Sequence, residues 1–139
     1  MKARVTLLLI IILLSLNGCS KNVDYKYLHN SNQITSIEIV KCGEINSEGE
    51  LPQTLISKVD DTEVFLKDFE KLDCFLIFTD PKGVGENIIA IKFNYEYAEY
   101  ELISAEGQSR YTSERSFQYY KGFRYFNQEQ FDTLISKYT

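Results

Sequence analysis

The chain has 139 residues, a length that supports one globular domain and leaves little room for a second. Its hydrophobic fraction of 44%, with 14% aromatic and 25% charged residues, excludes an intrinsically disordered or collagen-like protein. The formal net charge of −5 and the absence of a dense Lys and Arg cluster argue against a nucleic-acid partner, because phosphate neutralisation needs clustered cations.

The N-terminal segment has the composition of an export signal. Lys2 and Arg4 form a basic start, and an apolar run from Val5 to Leu14, interrupted only by Thr6, follows. About ten to twelve helical residues cover only about 15 to 18 Å, well short of the roughly 30 Å hydrocarbon core that a membrane-spanning helix must cross. The pattern therefore predicts a cleavable signal peptide over residues 1–18, and an uncleaved short anchor is the alternative.

The next four residues, Leu16-Asn17-Gly18-Cys19, resemble the lipobox of bacterial lipoproteins, although Asn17 departs from the small residue that is usual at its position. In that family the cysteine thiol receives a diacylglycerol, and a dedicated peptidase cuts the chain before the cysteine. The resemblance covers residues 1 to 20 only. It implies that Cys19 carries the lipid, that a membrane is a partner through this anchor, and that the protein belongs to the cell envelope outside the cytoplasm.

Cleavage before Cys19 would remove Lys2 and Arg4 and take the formal net charge from −5 to −7. Residues 19–33 are mostly polar and show no sustained periodicity, which predicts a lipidated flexible tether with an end-to-end distance of about 20 Å. A single globular domain over residues 34–139 follows.

The first half of this domain shows two strands and a helix. A β-branched segment at 34–42 and a shorter one at 55–59 predict strands, and the polar stretch 43–52 between them predicts a loop. Asp60 and Glu63 fit a capping box that opens an amphipathic helix over about 61–72.

The second half reads as several strands and a final helix. Apolar or alternating segments predict strands at 74–78, 87–95, 100–104, 108–112 and 117–126, and Asn127 with Gln130 opens a helix over about 128–138. Short turns join most of these strands, whereas parallel pairing would need more crossovers than two helices supply. The predicted fold is α+β, with an antiparallel sheet of about five to six strands and both helices on one face.

Two cysteines remain in the mature chain, Cys42 and Cys74. In an oxidising compartment this even pair predicts a disulfide that closes a loop of about 32 residues and contributes roughly 3 to 4 kcal/mol. Two unpaired buried thiols are the alternative.

The sequence contains no recognisable catalytic, cofactor or metal motif, and we predict none of these. The single histidine, His29, falls in the predicted tether, where we expect a solvated side chain. Glu96, Glu99 and Glu101 form the best acidic cluster. They could serve a carboxylate-dependent hydrolase, but a solvated edge that discourages strand addition is the simpler interpretation.

Tyrosine is abundant, with ten copies in the chain. Because tyrosine combines rigid apolar area with a polar tip, a recognition face formed by Tyr95, Tyr97, Tyr100, Tyr119 and Tyr120 is one hypothesis, and ordinary sheet packing is the other. The favoured function is a non-enzymatic envelope lipoprotein that binds a protein, peptide or glycan. A hydrolase and a structural or immunity-type surface protein are the alternatives.

Overall fold

The computed structural model describes residues 22–77, 82–112 and 123–139. The predicted signal peptide, Cys19, Tyr119 and Tyr120 lie outside these ranges. The described elements, in chain order, are β1 (Ser36–Cys42), β2 (Gln53–Lys58), α1 (Thr62–Phe69), β3 (Cys74–Ile77), β4 (Ile89–Asn94), β5 (Tyr100–Ile103), β6 (Gln108–Tyr111), β7 (Phe123–Phe126) and α2 (Gln128–Tyr138).

The α+β class and the antiparallel pairing are confirmed, but the described strands form two sheets rather than one. Five strands pair in the order β2-β1-β4-β5-β6, and β3 pairs separately with β7. The β3–β7 pair belongs with the helices, because β3 follows α1 and β7 leads into α2. Cys74 of β3 and Phe126 of β7 share one buried cluster with both helices and one face of the main sheet, so the pair packs over that face and does not extend the sheet.

The main core lies between the five-stranded sheet and this second layer. Both helices contribute to the same buried cluster, which also includes Cys74 of β3 and Phe126 of β7. The side chains that form this core from the sheet and from the helices are Ile37, Ile39, Ile91, Phe93, Ile103, Phe65, Phe69, Phe131, Leu134 and Ile135. Both helices therefore pack on one face of the main sheet, as predicted. Each helix has a stripe of apolar residues on one side, and this stripe faces the sheet.

Local capping sets where both helices begin. The Asp61 side chain accepts a hydrogen bond from the Val64 backbone N–H at 3.0 Å, one residue later than the predicted cap, and Asn127 accepts from Gln130 as predicted. Helix α1 ends at Phe69, three residues before the predicted end, and the chain turns at Leu72.

The opposite face of the main sheet carries a smaller buried cluster that contains Val40, Cys42, Leu51, Val84, Ala90 and Leu102. Cys42 belongs to this cluster, whereas Cys74 belongs to the main core. Because the two buried cysteines lie on opposite sides of the main sheet, the structure does not join them, and the predicted disulfide is absent from it.

The segment predicted as a free tether is packed along the domain. We call residues 22–30 the N-terminal strap. Val23, Tyr25, Tyr27 and Leu28 contact the main core, and the Val23 N–H donates a 2.7 Å hydrogen bond to the Cys74 carbonyl. The expectation of a tether to residue 33 is therefore corrected: the alternate apolar positions 23, 25 and 27 give the strap the period of a strand, which allows it to bury one face. None of the described helices is long and apolar enough to cross a membrane.

Candidate functional site

A strained turn joins β4 to β5. Tyr97 and Ala98 both have positive φ, 59° and 58°, and the Glu99 N–H donates to the Glu96 carbonyl. These features match a type I′ turn over residues 96–99, within the odd-length loop that is left when Asn94 pairs with Tyr100, and the central positions of such a turn favour Asn and Gly. Each residue with a Cβ costs roughly 1–2 kcal/mol in the left-handed conformation. The left-handed conformation thus lowers the free energy of unfolding, and it places Tyr97 at the tip of the hairpin, where the side chain is 85% exposed.

A cleft of about 370 Å³ lies beside this tip. One wall is the hairpin, and the other is the end of the N-terminal strap with the residues that lead into β1. The volume falls within the range of small-ligand sites. Its lining residues are His29, Asn32, Gln33, Ile34, Thr35, Tyr95, Glu96, Tyr97 and Glu99.

His29 is oriented rather than free. Its Nε2 contacts Glu99 Oε2, and its ring packs edge-on against Tyr95 with centroids 5.1 Å apart. The His29 side chain is 40% exposed, whereas Glu99 is 12% exposed. His29 is therefore exposed to solvent, as expected, but it is not a free side chain on a tether: the strap places it at the hairpin, where it forms a polar pair with Glu99 at the cleft wall.

Glu101 lies behind the cleft and is fully buried. Its Oε1 accepts hydrogen bonds from the Leu28 N–H at 3.2 Å and the Tyr95 hydroxyl at 2.6 Å. Its Oε2 accepts from the Tyr25 hydroxyl at 3.1 Å and from Arg110 Nε at 3.0 Å. Four donors therefore satisfy one carboxylate.

The buried carboxylate also holds the strap in place. Arg110 donates a second hydrogen bond, from Nη2 to the Lys26 carbonyl oxygen. The Glu101–Arg110 ion pair thus forms hydrogen bonds with three residues of the strap, Tyr25, Lys26 and Leu28. Charge-assisted hydrogen bonds of this kind are stronger than neutral ones, and they keep the strap against the domain.

Burial raises the pKa of Tyr25 and Tyr95 well above the ordinary tyrosine value, and the nearby Glu101 carboxylate raises both further. Both hydroxyls consequently stay protonated and can act as donors to Glu101. This part of the site is a hydrogen-bonded frame rather than a set of reactive groups.

The structure separates the tyrosines that the sequence analysis grouped. Tyr95 is 5% exposed and belongs to the core, whereas Tyr97 is exposed, and the two meet only at the cleft. Tyr100 packs on the cluster of the opposite sheet face, where its ring stacks on Tyr111 at 4.3 Å and Lys92 Nζ lies 4.4 Å above it. Tyr97 is therefore the tyrosine of this group that the described surface presents to solvent.

The three glutamates also separate. Glu96 is exposed, Glu99 contacts His29, and Glu101 is buried with Arg110. The solvated-edge interpretation is therefore wrong for Glu101. Sequence reasoning missed the Arg110 partner, although a signal existed: a short turn between the strands predicted at 100–104 and 108–112 places Glu101 directly opposite Arg110 in the β5–β6 hairpin.

No group of three His, Cys, Asp or Glu side chains suited to a metal ion lies within residues 22–77, 82–112 and 123–139. Comparisons with protein-family models, with curated proteins and with solved structures found no match to this chain.

Proposed function

We propose that the chain is an envelope lipoprotein, held outside the cytoplasm on a membrane by lipid on Cys19, and that it binds a protein, peptide or glycan without catalysing a reaction. The observation that carries the binding role is Tyr97, which is exposed on a strained turn beside the 370 Å³ cleft. Strain that the fold does not need for packing concentrates at functional sites.

The chemistry of the cleft supports a partner that offers both a flat apolar surface and hydrogen-bonding groups. Tyr97 supplies a rigid ring with a hydroxyl at its tip, a combination enriched in recognition surfaces. Around it, Glu96 and Thr35 provide oxygen atoms, and Asn32 and Gln33 provide amides. Extended peptides and sugar rings present this mixture of groups.

The strap connects the anchor to the binding site. His29 near its end forms one wall of the cleft together with residues 32–35, which follow the strap, and its first residues follow Cys19 closely in the chain. A docked strap holds the cleft at a defined place near the membrane, where tethering raises the effective concentration of a surface-bound partner.

The substitution Tyr97→Asn tests the binding role, because we expect it to raise the stability of the domain and to lower the retention of the partner. Asn tolerates positive φ better than Tyr, so the free energy of unfolding should rise by up to about 1 kcal/mol. Retention of the partner on the lipidated protein, recovered by crosslinking in its native envelope, should fall. Leu55→Ala is the matched control, because Leu55 is 57% exposed on β2 and does not line the cleft.

The proposal fails if Tyr97→Asn and Leu55→Ala retain partners equally well. The anchoring part has its own test, mass spectrometry of the protein from its host. An unmodified Cys19, or a mature chain that begins at another residue, contradicts the lipoprotein assignment.

A further inference from the structure

The start of the strap is fixed beside the two-stranded β3–β7 sheet. Asn22 forms a β-bridge with Phe75. The Asn22 Oδ1 accepts from the Cys74 N–H at 3.3 Å, and its Nδ2 donates to Asp73 Oδ1 at 3.0 Å. Together with the Val23–Cys74 backbone hydrogen bond, these contacts place the described N-terminal end of the chain against β3.

The chain between this point and the lipid is very short. Cys19 precedes Asn22 by three residues, and an extended chain spans at most about 3.3–3.6 Å per residue, or about 10 Å in total. A lipid on Cys19 therefore holds this corner of the domain at the membrane surface. A free tether of fifteen residues, as the sequence suggested, would not do so.

The outward side of the β3–β7 sheet carries an aromatic pair at this corner. Phe75 lies opposite Tyr125 in the register, and their rings stack with centroids 5.0 Å apart. Their neighbours Cys74 and Phe126 point into the main core. Because side chains alternate along a strand, Phe75 and Tyr125 face away from the core, and both are half-buried.

We propose that the outward face of the β3–β7 sheet, centred on Phe75 and Tyr125, rests on the lipid bilayer. The inference rests on the proposed lipid anchor and adds the orientation of the domain. Aromatic rings with a polar end favour the interface between hydrocarbon and water, where the Tyr125 hydroxyl remains hydrated while the ring area leaves water.

The charges around this corner determine which lipids matter. Asp24, Glu70 and Asp73 outnumber Lys71 along the adjoining cleft. Attraction to anionic headgroups requires clustered Lys and Arg, and the described residues that line this cleft form no such cluster. The acyl chains and the aromatic pair must therefore supply the contact, and the orientation should be the same on neutral and anionic bilayers.

The chain contains no tryptophan, so one introduced tryptophan reports on its own position. We would prepare lipidated full-length protein with Phe75→Trp or Tyr125→Trp and reconstitute it into vesicles whose lipids carry bromine on the upper acyl chain. Tryptophan fluorescence should be lost in both proteins. Tyr97→Trp, at the exposed hairpin tip, is the matched control, and its fluorescence should be retained. Two variants on one face keep the test valid if either one fails to fold.

Each outcome is decisive. Retained fluorescence in both the Phe75→Trp and Tyr125→Trp proteins, with Cys19 lipidated, overturns the orientation and leaves the lipoprotein proposal intact. Equal loss in the Tyr97→Trp protein overturns it as well, as does a requirement for anionic lipid. Protection from aqueous iodide without quenching by bromolipid would show that a protein covers this face instead. An unmodified Cys19 contradicts the lipid anchor of the proposed function, and the orientation inferred from that anchor then has no basis.

Discussion

The buried carboxylate of Glu101 gives the sharpest prediction. In Glu101→Gln the shape is nearly kept, but the charge that compensates Arg110 is lost, and one of the two acceptor oxygens becomes an NH2 donor. Each carboxylate oxygen of Glu101 accepts two hydrogen bonds, so the NH2 group of the glutamine would leave two of the four donors without an acceptor. Removing one partner of a buried ion pair costs about 3–5 kcal/mol. Two unsatisfied buried donors, at about 1–3 kcal/mol each, give a similar range.

A loss of this size is a large part of the roughly 5–15 kcal/mol that stabilises a typical domain. Urea unfolding followed by circular dichroism, on the chain from residue 20 onward, should show a midpoint lower by about 1–3 M. The strap should also loosen, because Tyr25 and Leu28 donate to Glu101. Trypsin cleavage after the exposed Lys26 should therefore become faster under native conditions.

Glu106→Gln is the matched control, since it removes the same charge from an exposed position on the β5–β6 turn. We expect it to change the free energy of unfolding by less than about 0.5 kcal/mol. If Glu101→Gln is no more destabilising than Glu106→Gln, the ion pair does not hold the strap and the reasoning is refuted. A double-mutant cycle with Arg110→Gln should show a coupling of about 1–3 kcal/mol.

Three further predictions concern the turn, the cysteines and a half-buried tyrosine. Ala98→Gly should raise the free energy of unfolding by about 1 kcal/mol, because glycine adopts the observed positive φ without a Cβ clash; an unchanged thermal midpoint would contradict the type I′ assignment. Peptide mapping without reductant should find no peptide that links Cys42 to Cys74, because the two cysteines lie on opposite sides of the main sheet. Burial raises the pKa of the Cys42 thiol, so alkylation of Cys42 should be slow until the domain unfolds. Burial also raises the pKa of Tyr100 to about 12, so its contribution to stability is complete below about pH 10 and is lost as the pH rises towards 12. In an absorbance titration of tyrosinate, the folded wild type and Tyr100→Phe should therefore ionise equally near pH 10, and the wild type should show one ionisation more than Tyr100→Phe only after unfolding; a difference between the two folded proteins near pH 10 would contradict the packing.

Several elements follow from the sequence because their causes are local. Helix α2 begins and ends within a residue of its prediction, since the Asn127 cap and the apolar spacing of Phe131, Leu134 and Ile135 lie within one segment. Strand β5 and the β5–β6 turn were predicted for the same reason. The lipobox resemblance at Cys19 likewise depends on four adjacent residues, and it stays a prediction.

The candidate site was only partly predictable. The tyrosine hypothesis named Tyr97, which the structure exposes at the hairpin tip, but it also named Tyr95, whose hydroxyl is directed to buried Glu101. His29 was set aside because no nearby residue in the chain could orient it. Its partner Glu99 is 70 residues away, so the contact exists only after the strap has docked.

Periodicity, capping and short turns act over a few residues, and they were enough to predict the α+β class, the two helices and the antiparallel pairing. The export signal also rests on adjacent residues, and it stays a prediction. Three features depend on residues that are distant in the chain and meet only in the folded domain: the division of the strands into two sheets, the docking of residues 22–30 as a strap, and the buried contact of Glu101 with Arg110 and Tyr25. Tyr25 and Glu101 are 76 residues apart, and the free energy of burying their polar groups depends on the whole set of donors that the fold assembles around one carboxylate.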